Sequence, residues 1–109
     1  MSDSVISELA ATIRSRRLAK GDTSYTRQLL DAGAERCARK FGEEAIETVI
    51  AGVSQDAASL ASEAADVVYH LLVLLEVRDL TWVDVERVLQ SRVGTSGLAE
   101  KARRGEPSQ

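Results

Sequence analysis

Two acidic pairs at helical spacing are the residues of this sequence best suited to chemistry. Glu44 and Glu47 are three residues apart, and so are Glu63 and Asp66. Three residues turn a helix by about 300°, so the members of each pair project from one face, about one turn apart. The turn-forming segment 52–56 separates the two pairs and predicts that the chain reverses its direction there.

Such a reversal is expected to bring all four carboxylates together. Counted from the bend at about 1.5 Å per residue, Glu47 and Glu63 lie at about 11 and 13 Å, and Glu44 and Asp66 at about 16 and 17 Å. Two like charges about 4 Å apart repel by about 4 kcal/mol at an effective dielectric of about 20. The cluster must therefore protonate, splay apart or bind cations. Oxygen ligands without clustered Cys or His suit a hard divalent ion, typically Mg²⁺ where a substrate supplies phosphate oxygens.

The competing interpretation is that these acids form a solvated helix face. Lys40 then pairs with Glu44, four residues further along the helix, and each acidic pair stands alone in water. The matched heights of the two pairs on either side of one bend favour the shared site.

Composition predicts a single all-helical domain spanning residues 1–109, with a loose tail from about 105 to 109. Its 44% hydrophobic and 28% charged residues are ordinary for a soluble protein of 109 residues, which has room for one core. The single Cys37 cannot form an intramolecular disulfide and is expected to be buried and apolar in character. No signal-peptide pattern is present, and the longest nearly uncharged apolar run, 67–75, is too short to span a bilayer. We therefore expect a cytoplasmic protein without a membrane segment.

Charge is distributed unevenly along the chain. Residues 1–40 hold eight Lys/Arg against five Asp/Glu, residues 41–91 hold two against ten, and residues 92–109 hold four against two. A polymeric nucleic acid would need a net basic face, so we expect no nucleic-acid partner. An acidic middle with basic ends instead suits a metal-bound phosphate, whose remaining anionic oxygens the Lys and Arg residues would contact.

Hydrophobic periodicity and turn residues predict five helices. They are expected over about 4–19, 26–32 and 34–53, then from after Ser54 or Asp56 to about 78, and from a capping box at 81–84 onwards. Leu29 and Leu30 are expected to pack inward, as are the apolar residues of the last helix, Val85, Val88 and Leu89. Gly42 within the third helix is expected to allow the close approach of another helix.

The segment Leu71–Leu75 is apolar on every side of the fourth helix and must therefore be buried all round. One small helical domain has few ways to cover such a segment, so we expect a homodimer or higher homo-oligomer. His70 lies one turn after Asp66, near the acidic face, where it is either a hydrogen-bonded structural residue or a ligand.

Further motifs accompany the acidic pairs between Ser24 and Arg104. They are Ser24-Tyr25-Thr26 with Leu29-Leu30 and Gly33, Lys40-x-Gly42-Glu43-Glu44-Ala45-x-Glu47, Glu63-x-Ala65-Asp66-x-x-Tyr69-His70, and Ser96-Gly97 with Glu100-Lys101. Together they closely resemble phosphoribosyl-ATP pyrophosphohydrolases, which belong to the MazG-like all-α nucleotide pyrophosphohydrolases. The ExxE and ExxD pairs are the superfamily signature, whereas the other motifs are more specific to the histidine-pathway family.

The resemblance implies hydrolysis of phosphoribosyl-ATP to phosphoribosyl-AMP and pyrophosphate, the second step of histidine biosynthesis. It also implies a MazG-like helical bundle with a central antiparallel helix hairpin, whose core is completed by homodimerisation. The four acids would hold Mg²⁺, and one of them, or Glu43, would accept the proton of the attacking water. The predicted substrate-binding residues are Lys40, Tyr25, His70, Lys101 and Arg104. For Lys40 a bond to Glu44, for Tyr25 surface packing, and for the two tail residues simple solvation remain the competing interpretations.

Two other functions are compatible with the same sequence. A MazG-like housecleaning hydrolase acting on dNTPs or modified NTPs would use the same metal site with a different base and sugar pocket. A helical dimerisation or adaptor module, in which the acids have no chemical role, would bind no divalent metal and would have no activity.

Overall fold

The computed structural model describes residues 4–93 and residue 105, and in this part of the chain every regular element is an α-helix. The helices are α1 (Val5–Leu18), α2 (Tyr25–Ala32), α3 (Ala34–Ser54), α4 (Ala57–Val77) and α5 (Trp82–Arg92). The all-α prediction is confirmed, and the helix boundaries lie close to the predicted ones. The predicted substrate-binding residues Lys101 and Arg104 lie outside the described residues.

Helix starts follow from side chains that cap the first backbone N–H groups. Ser4, Ser24 and Asp56 accept hydrogen bonds from the residues three positions on, and Thr81 forms a capping box with Asp84. α2 and α3 meet at Gly33, whose φ of 97° lies in the left-handed region that favours glycine.

α3 and α4 form an antiparallel hairpin with a reversal of only two residues. α3 continues through Ser54, so Gly52, which the sequence placed in the bend, is helical. Gln55 is extended and Asp56 caps α4 by accepting a hydrogen bond from the N–H of Ser59. Further along the hairpin, the Thr48 hydroxyl of α3 donates to the Glu63 carbonyl of α4.

The core lies where α1, α2 and α3 pack on the second half of α4. Its buried apolar residues are Ile13, Leu29, Leu30, Cys37, Leu72 and Val73. The inward positions predicted for Leu29, Leu30 and Cys37 are confirmed. Burial raises the pKa of the Cys37 thiol, and the thiol donates to the Leu29 carbonyl, so this cysteine is a packing residue.

α5 is attached to the rest of the chain mainly by its first turn. Trp82 packs on the core, whereas Val88 and Leu89 are about half exposed. The prediction that these two residues face inward is wrong for the described part of the chain, because α5 packs chiefly against α1 and both side chains stay about half exposed.

The apolar segment of α4 is largely covered by the chain itself. Leu72 and Val73 are buried, and Leu71, Leu74 and Leu75 are half-buried. This segment therefore does not by itself require a partner subunit.

An exposed apolar stripe lies instead on α3. It consists of Ile46, Val49, Ile50 and Val53, which are 50 to 85% exposed. At 100° per residue these side chains project opposite to Glu44, Thr48 and Ala51, which lie on the side of α3 that packs against α4. Apart from the neighbouring backbone of α3 itself, no atom of the described residues lies within 4 Å of a Cβ built at Gly42, so the close helix approach predicted there is wrong for the described part of the chain.

α4 has the length and mean hydropathy of a membrane-spanning helix, although the apolar run inside it is shorter. Core helices of soluble proteins share these properties. Here α4 buries His70, Leu72, Val73 and Glu76 against other helices and carries two further acids, Glu63 and Asp66, as expected of a core helix.

The end of α4 is joined to α1 by ion pairs. The Glu76 side chain is 9% exposed, and its Oε2 lies 2.6 Å from Nη1 of Arg17 and 3.8 Å from Nη1 of Arg14. Arg17 also donates to the Glu76 carbonyl oxygen at 2.8 Å and pairs with Asp79 at 2.9 Å. Hydrogen bonding to Glu76 and Asp79 raises the pKa of Arg17. This charge cluster is a structural joint.

Candidate active site

The α3–α4 hairpin brings the two acidic pairs together, as the heights counted along the helices predicted. Glu44, Glu63 and Asp66 each offer a carboxylate oxygen within 4.8 Å of the other two. Glu44 and Glu63 are half-buried, and Asp66 is exposed. We call these three residues and Glu47 the acidic cluster.

Glu47 joins the cluster from its exposed side. Hydrogen bonding with Glu47 is the largest cause that raises the pKa of Glu44, followed by burial and by repulsion from Asp66 and Glu63. The pKa of Glu63 is also raised, first by burial and then by the charges of Glu47 and Asp66. The neighbouring carboxylates therefore make ionisation of Glu44 and of Glu63 harder, as expected of like charges that share one site.

The donor set of the cluster fits a hard divalent cation. Oε2 of Glu63 is buried and has no hydrogen-bond partner, which leaves a buried acceptor unsatisfied. In residues 4–93, none of the four acids forms an ion pair with a Lys or Arg side chain. Carboxylate oxygens alone, at least one of them lacking a partner, are the ligands that Mg²⁺ or Ca²⁺ prefers.

Thr48 is the residue near the cluster that the sequence analysis missed. Its hydroxyl lies 2.8 Å from the Glu44 carbonyl oxygen and 3.2 Å from the Glu63 carbonyl oxygen. The spacing of Thr48 four residues after Glu44 signals the first contact, because threonine hydroxyls commonly bond to the carbonyl one turn back. The second contact depends on how α3 and α4 pack and has no sequence signal.

Lys40 lies beside the cluster but does not pair with Glu44. Its Nζ is 3.1 Å from Oε1 of Glu43, and this hydrogen bond is the largest cause that raises the pKa of Lys40. The charge of Glu44 contributes least among the causes of that shift. The solvated-face interpretation predicted a Lys40–Glu44 pair, whereas the structure has a Lys40–Glu43 pair.

His70 lies behind Glu44, with its Nε2 3.9 Å from Glu44 Oε1. The histidine is 6% exposed, its Nδ1 is buried without a partner, and burial lowers its pKa. The rings of Tyr25 and Tyr69 meet it edge-on, with centroids 6.4 and 5.0 Å away. The Tyr69 hydroxyl in turn bonds to the hydroxyl of Thr26. An aromatic wall with a neutral histidine thus flanks the acidic cluster, and the exposed Tyr25 forms its edge.

A separate cavity of about 190 Å³ lies at the other end of α4 and contains none of the predicted site residues. It is lined by Ser7, Ala10, Ala11, Arg14, Glu76, Leu80, Thr81, Trp82 and Val83. The acidic cluster is therefore not part of this cavity.

Comparison with known proteins gives one consistent result. The sequence profile of the family described as phosphoribosyl-ATP pyrophosphohydrolase matches residues 6–93. A phosphoribosyl-ATP pyrophosphatase of Cereibacter sphaeroides is 57% identical over 101 residues, which cover 93% of this chain and 98% of that protein. The protein named phosphoribosyl-ATP pyrophosphatase 1 of Bradyrhizobium diazoefficiens is 56% identical over 101 residues, or 93% and 95% of the two chains. The phosphoribosyl-ATP pyrophosphatase of Rhodobacter capsulatus is 52% identical over 100 residues, or 92% and 97%.

Proposed function

The chain belongs to the phosphoribosyl-ATP pyrophosphohydrolase family, and we propose that its acidic cluster is the place where it hydrolyses phosphoribosyl-ATP. The products are phosphoribosyl-AMP and pyrophosphate, in the second step of L-histidine biosynthesis. The observation that carries the assignment of the site is the convergence of carboxylate oxygens from α3 and α4 within 4.8 Å of one another. As an enzyme of this pathway, the protein is expected in the cytoplasm.

Glu44, Glu47, Glu63 and Asp66 would hold Mg²⁺ as the cofactor. When bound, Mg²⁺ neutralises charge on the phosphoryl oxygens and lowers the pKa of a coordinated water. Without a bound cation, the carboxylates of the acidic cluster repel one another. The raised pKa values of Glu44 and Glu63 are a consequence of that repulsion together with burial.

A carboxylate must accept the proton of the attacking water as the bond to the leaving pyrophosphate breaks. Glu43 is the less suitable candidate, because its Oε1 is engaged by Lys40 at 3.1 Å. Glu47 is exposed and adjoins Glu44 and Glu63. We therefore assign the role of proton acceptor to Glu47.

The substrate would lie across the cluster towards Lys40 and Tyr25. Lys40 stays protonated at neutral pH, since its pKa is raised, and it would contact an anionic oxygen of the substrate. The half-exposed ring of Tyr25 offers an apolar face to the nucleotide. Buried His70 would act from behind by supporting Glu44 and Tyr25, while Lys101 and Arg104 would contact the phosphates from the basic end of the chain.

The subunit would adopt the MazG-like bundle and pair with a second copy through the exposed stripe on α3. Ile46, Val49, Ile50 and Val53 form an apolar face of the kind that soluble monomers rarely leave open. A second copy presents an identical stripe, so a two-fold axis would bury both at once.

The proposed dimer has a direct test. Val49→Asp places a charge in the centre of the stripe and should convert the protein to monomers in sedimentation velocity, whereas Glu86→Gln on α5 should leave the native state of association unchanged. A native protein that sediments as a monomer at micromolar concentration would contradict the dimer.

The function is tested by pyrophosphate release from phosphoribosyl-ATP with and without Mg²⁺, beside a panel of dNTPs. We expect turnover of phosphoribosyl-ATP that requires the metal and clearly exceeds that of every dNTP. Preference for a dNTP would identify a housecleaning hydrolase instead. Absence of both activity and metal binding would favour the adaptor module.

A further inference from the structure

We propose that Thr48 is a positioning residue for the metal-binding acids. Its hydroxyl bridge between α3 and α4 sets the separation of the two rows of carboxylates, so that a divalent cation fits between them. This inference rests on the function proposed for the acidic cluster and assigns the maintenance of its geometry to one uncharged side chain.

The geometry of the bridge distinguishes Thr48 from other helical threonines. Its contact with the Glu44 carbonyl is an ordinary bond to the preceding turn, and the Thr12 hydroxyl makes the same bond to the Glu8 carbonyl at 3.0 Å. The contact with the Glu63 carbonyl at 3.2 Å is different because it crosses from α3 to α4. The single hydroxyl proton of Thr48 is therefore shared between two backbone carbonyl oxygens, and both belong to residues whose side chains are in the acidic cluster.

A backbone bridge at this height is useful because the acids themselves push the helices apart. Like charges on Glu44, Glu63 and Asp66 disfavour the close approach that a shared cation needs. The Thr48 hydroxyl opposes this repulsion without occupying a carboxylate oxygen. A carbonyl oxygen has two lone pairs, so Glu63 can accept this bond and keep its helical one.

The bridge therefore pre-organises the ligands before the cation arrives. Side chains that orient metal ligands from outside the coordination sphere typically change metal affinity about 10- to 100-fold when they are replaced. Thr48 would act in this way on the backbone of two ligands at once.

The test measures Mn²⁺ binding to the purified full chain by the electron paramagnetic resonance signal of free Mn²⁺. Thr48→Val keeps the size of the side chain and removes the hydroxyl, and it should weaken Mn²⁺ binding about tenfold. Thr12→Val removes an equivalent hydroxyl that has no acceptor on a second helix, and it should leave Mn²⁺ affinity unchanged. The Mg²⁺ concentration that gives half-maximal turnover should rise as Mn²⁺ affinity falls, whereas kcat at saturating Mg²⁺ should stay close to the native value.

A second pair of variants decides the question if Thr48→Val does not fold. Thr48→Ser and Thr48→Ala both lack the methyl group and differ by the hydroxyl alone. Serine should keep native Mn²⁺ affinity, and alanine should lose it.

The possible outcomes separate the two proposals. If the native protein binds Mn²⁺ and the Thr48→Val and Thr48→Ala variants bind it equally well, the proposed role of Thr48 is overturned. The metal site itself is then unaffected. Native protein that binds no Mn²⁺ would overturn the metal site, and the role of Thr48 with it.

Discussion

Helix α4 carries acids towards both of its ends, and the chain surrounds them in opposite ways. At the first end, Glu63 and Asp66 face the carboxylate of Glu44, and no Lys or Arg of residues 4–93 pairs with them. At the other end, Glu76 is more deeply buried and is held by Arg17 at 2.6 Å. An acid compensated by a cation of the same chain is part of the scaffold. Acids that have no Lys or Arg partner among residues 4–93 are the ones that we propose to bind a cation from solution.

The same helix can hold both arrangements because they are separated by the core. His70, Leu72 and Val73 are buried between the acidic cluster and Glu76. The charges at either end are therefore free to serve different purposes, and a mutation at one end tests that end alone.

The largest expected effect is the loss of activity when the uncompensated end loses an acid. Glu63→Gln removes a proposed ligand and should lower kcat/KM for phosphoribosyl-ATP by at least about 100-fold, the upper end of what changes outside the coordination sphere cause. The metal-free variant should be at least as stable as the native protein in urea, because one repulsive charge is gone. The rate of pyrophosphate release gives kcat/KM, and urea unfolding in the presence of EDTA gives the stability of the metal-free protein.

The control for this prediction is Glu86→Gln, which removes an exposed acid of α5. Full activity in Glu63→Gln would show that the two ends of α4 do not differ in the way proposed. A variant that is inactive because it is unfolded would be recognised from its circular dichroism spectrum.

The opposite result is expected at the compensated end. Glu76→Gln removes the negative charge that faces Arg17 in a buried ion pair, leaving the guanidinium opposite a neutral amide, and should lower the free energy of unfolding by about 1.5–3 kcal/mol. The folded variant should keep native kcat and Mg²⁺ dependence, since Glu76 lies away from the acidic cluster. Urea unfolding and steady-state kinetics measure the two effects. If Glu76→Gln were as stable as the native protein, Glu76 would not be a structural joint, and the proposed difference between the two ends of α4 would be lost.

A smaller effect is expected at Asp56, where the partners of the acid are backbone and side-chain donors instead of cations. Hydrogen bonds from Ser59 lower the pKa of Asp56 from its ordinary value of 3.8. The ionised cap therefore stabilises the folded state above pH 3.8, and that contribution is lost as the pH falls through the lowered pKa. Asp56→Asn keeps a capping side chain that does not titrate, so its stability should fall less steeply below pH 3.8.

Urea unfolding at a series of acidic pH values measures this difference between Asp56→Asn and the native protein. Glu86→Gln again serves as the reference, because it removes an acid that does not cap a helix. Equal slopes for Asp56→Asn and native protein would contradict the assignment of Asp56 as a stabilising cap.

The helices and the meeting of the acids were predictable from local signals. Caps at Ser4, Ser24 and Asp56 mark where helices begin, and three-residue spacing places the members of each acidic pair on one face. Matched distances from the bend then bring Glu44 level with Asp66. These inferences need only helix geometry and one reversal of the chain.

The predictions that failed at α5 and at Lys40 concern what lies next to a helix face. Val88 and Leu89 form an apolar face that the periodicity marks as inward, yet in the described structure they are about half exposed. Lys40 bonds to Glu43 instead of Glu44, because the choice between two acids on one helix depends on what lies next to them. Helical periodicity specifies that a face is apolar, but the packing of neighbouring elements determines what covers it.

The amino-acid sequence by itself determined the helical class, the acidic pairs and the levelling of those pairs by a hairpin, because each depends on spacing along a regular helix. Only the tertiary structure decided that α3 turns its acidic side to α4 and its apolar stripe outward, and that Thr48 bridges the two acid-bearing backbones. The physical reason is that covering a face or joining two carbonyls requires partners distant in the chain, whose approach is set by the sum of many packing contacts.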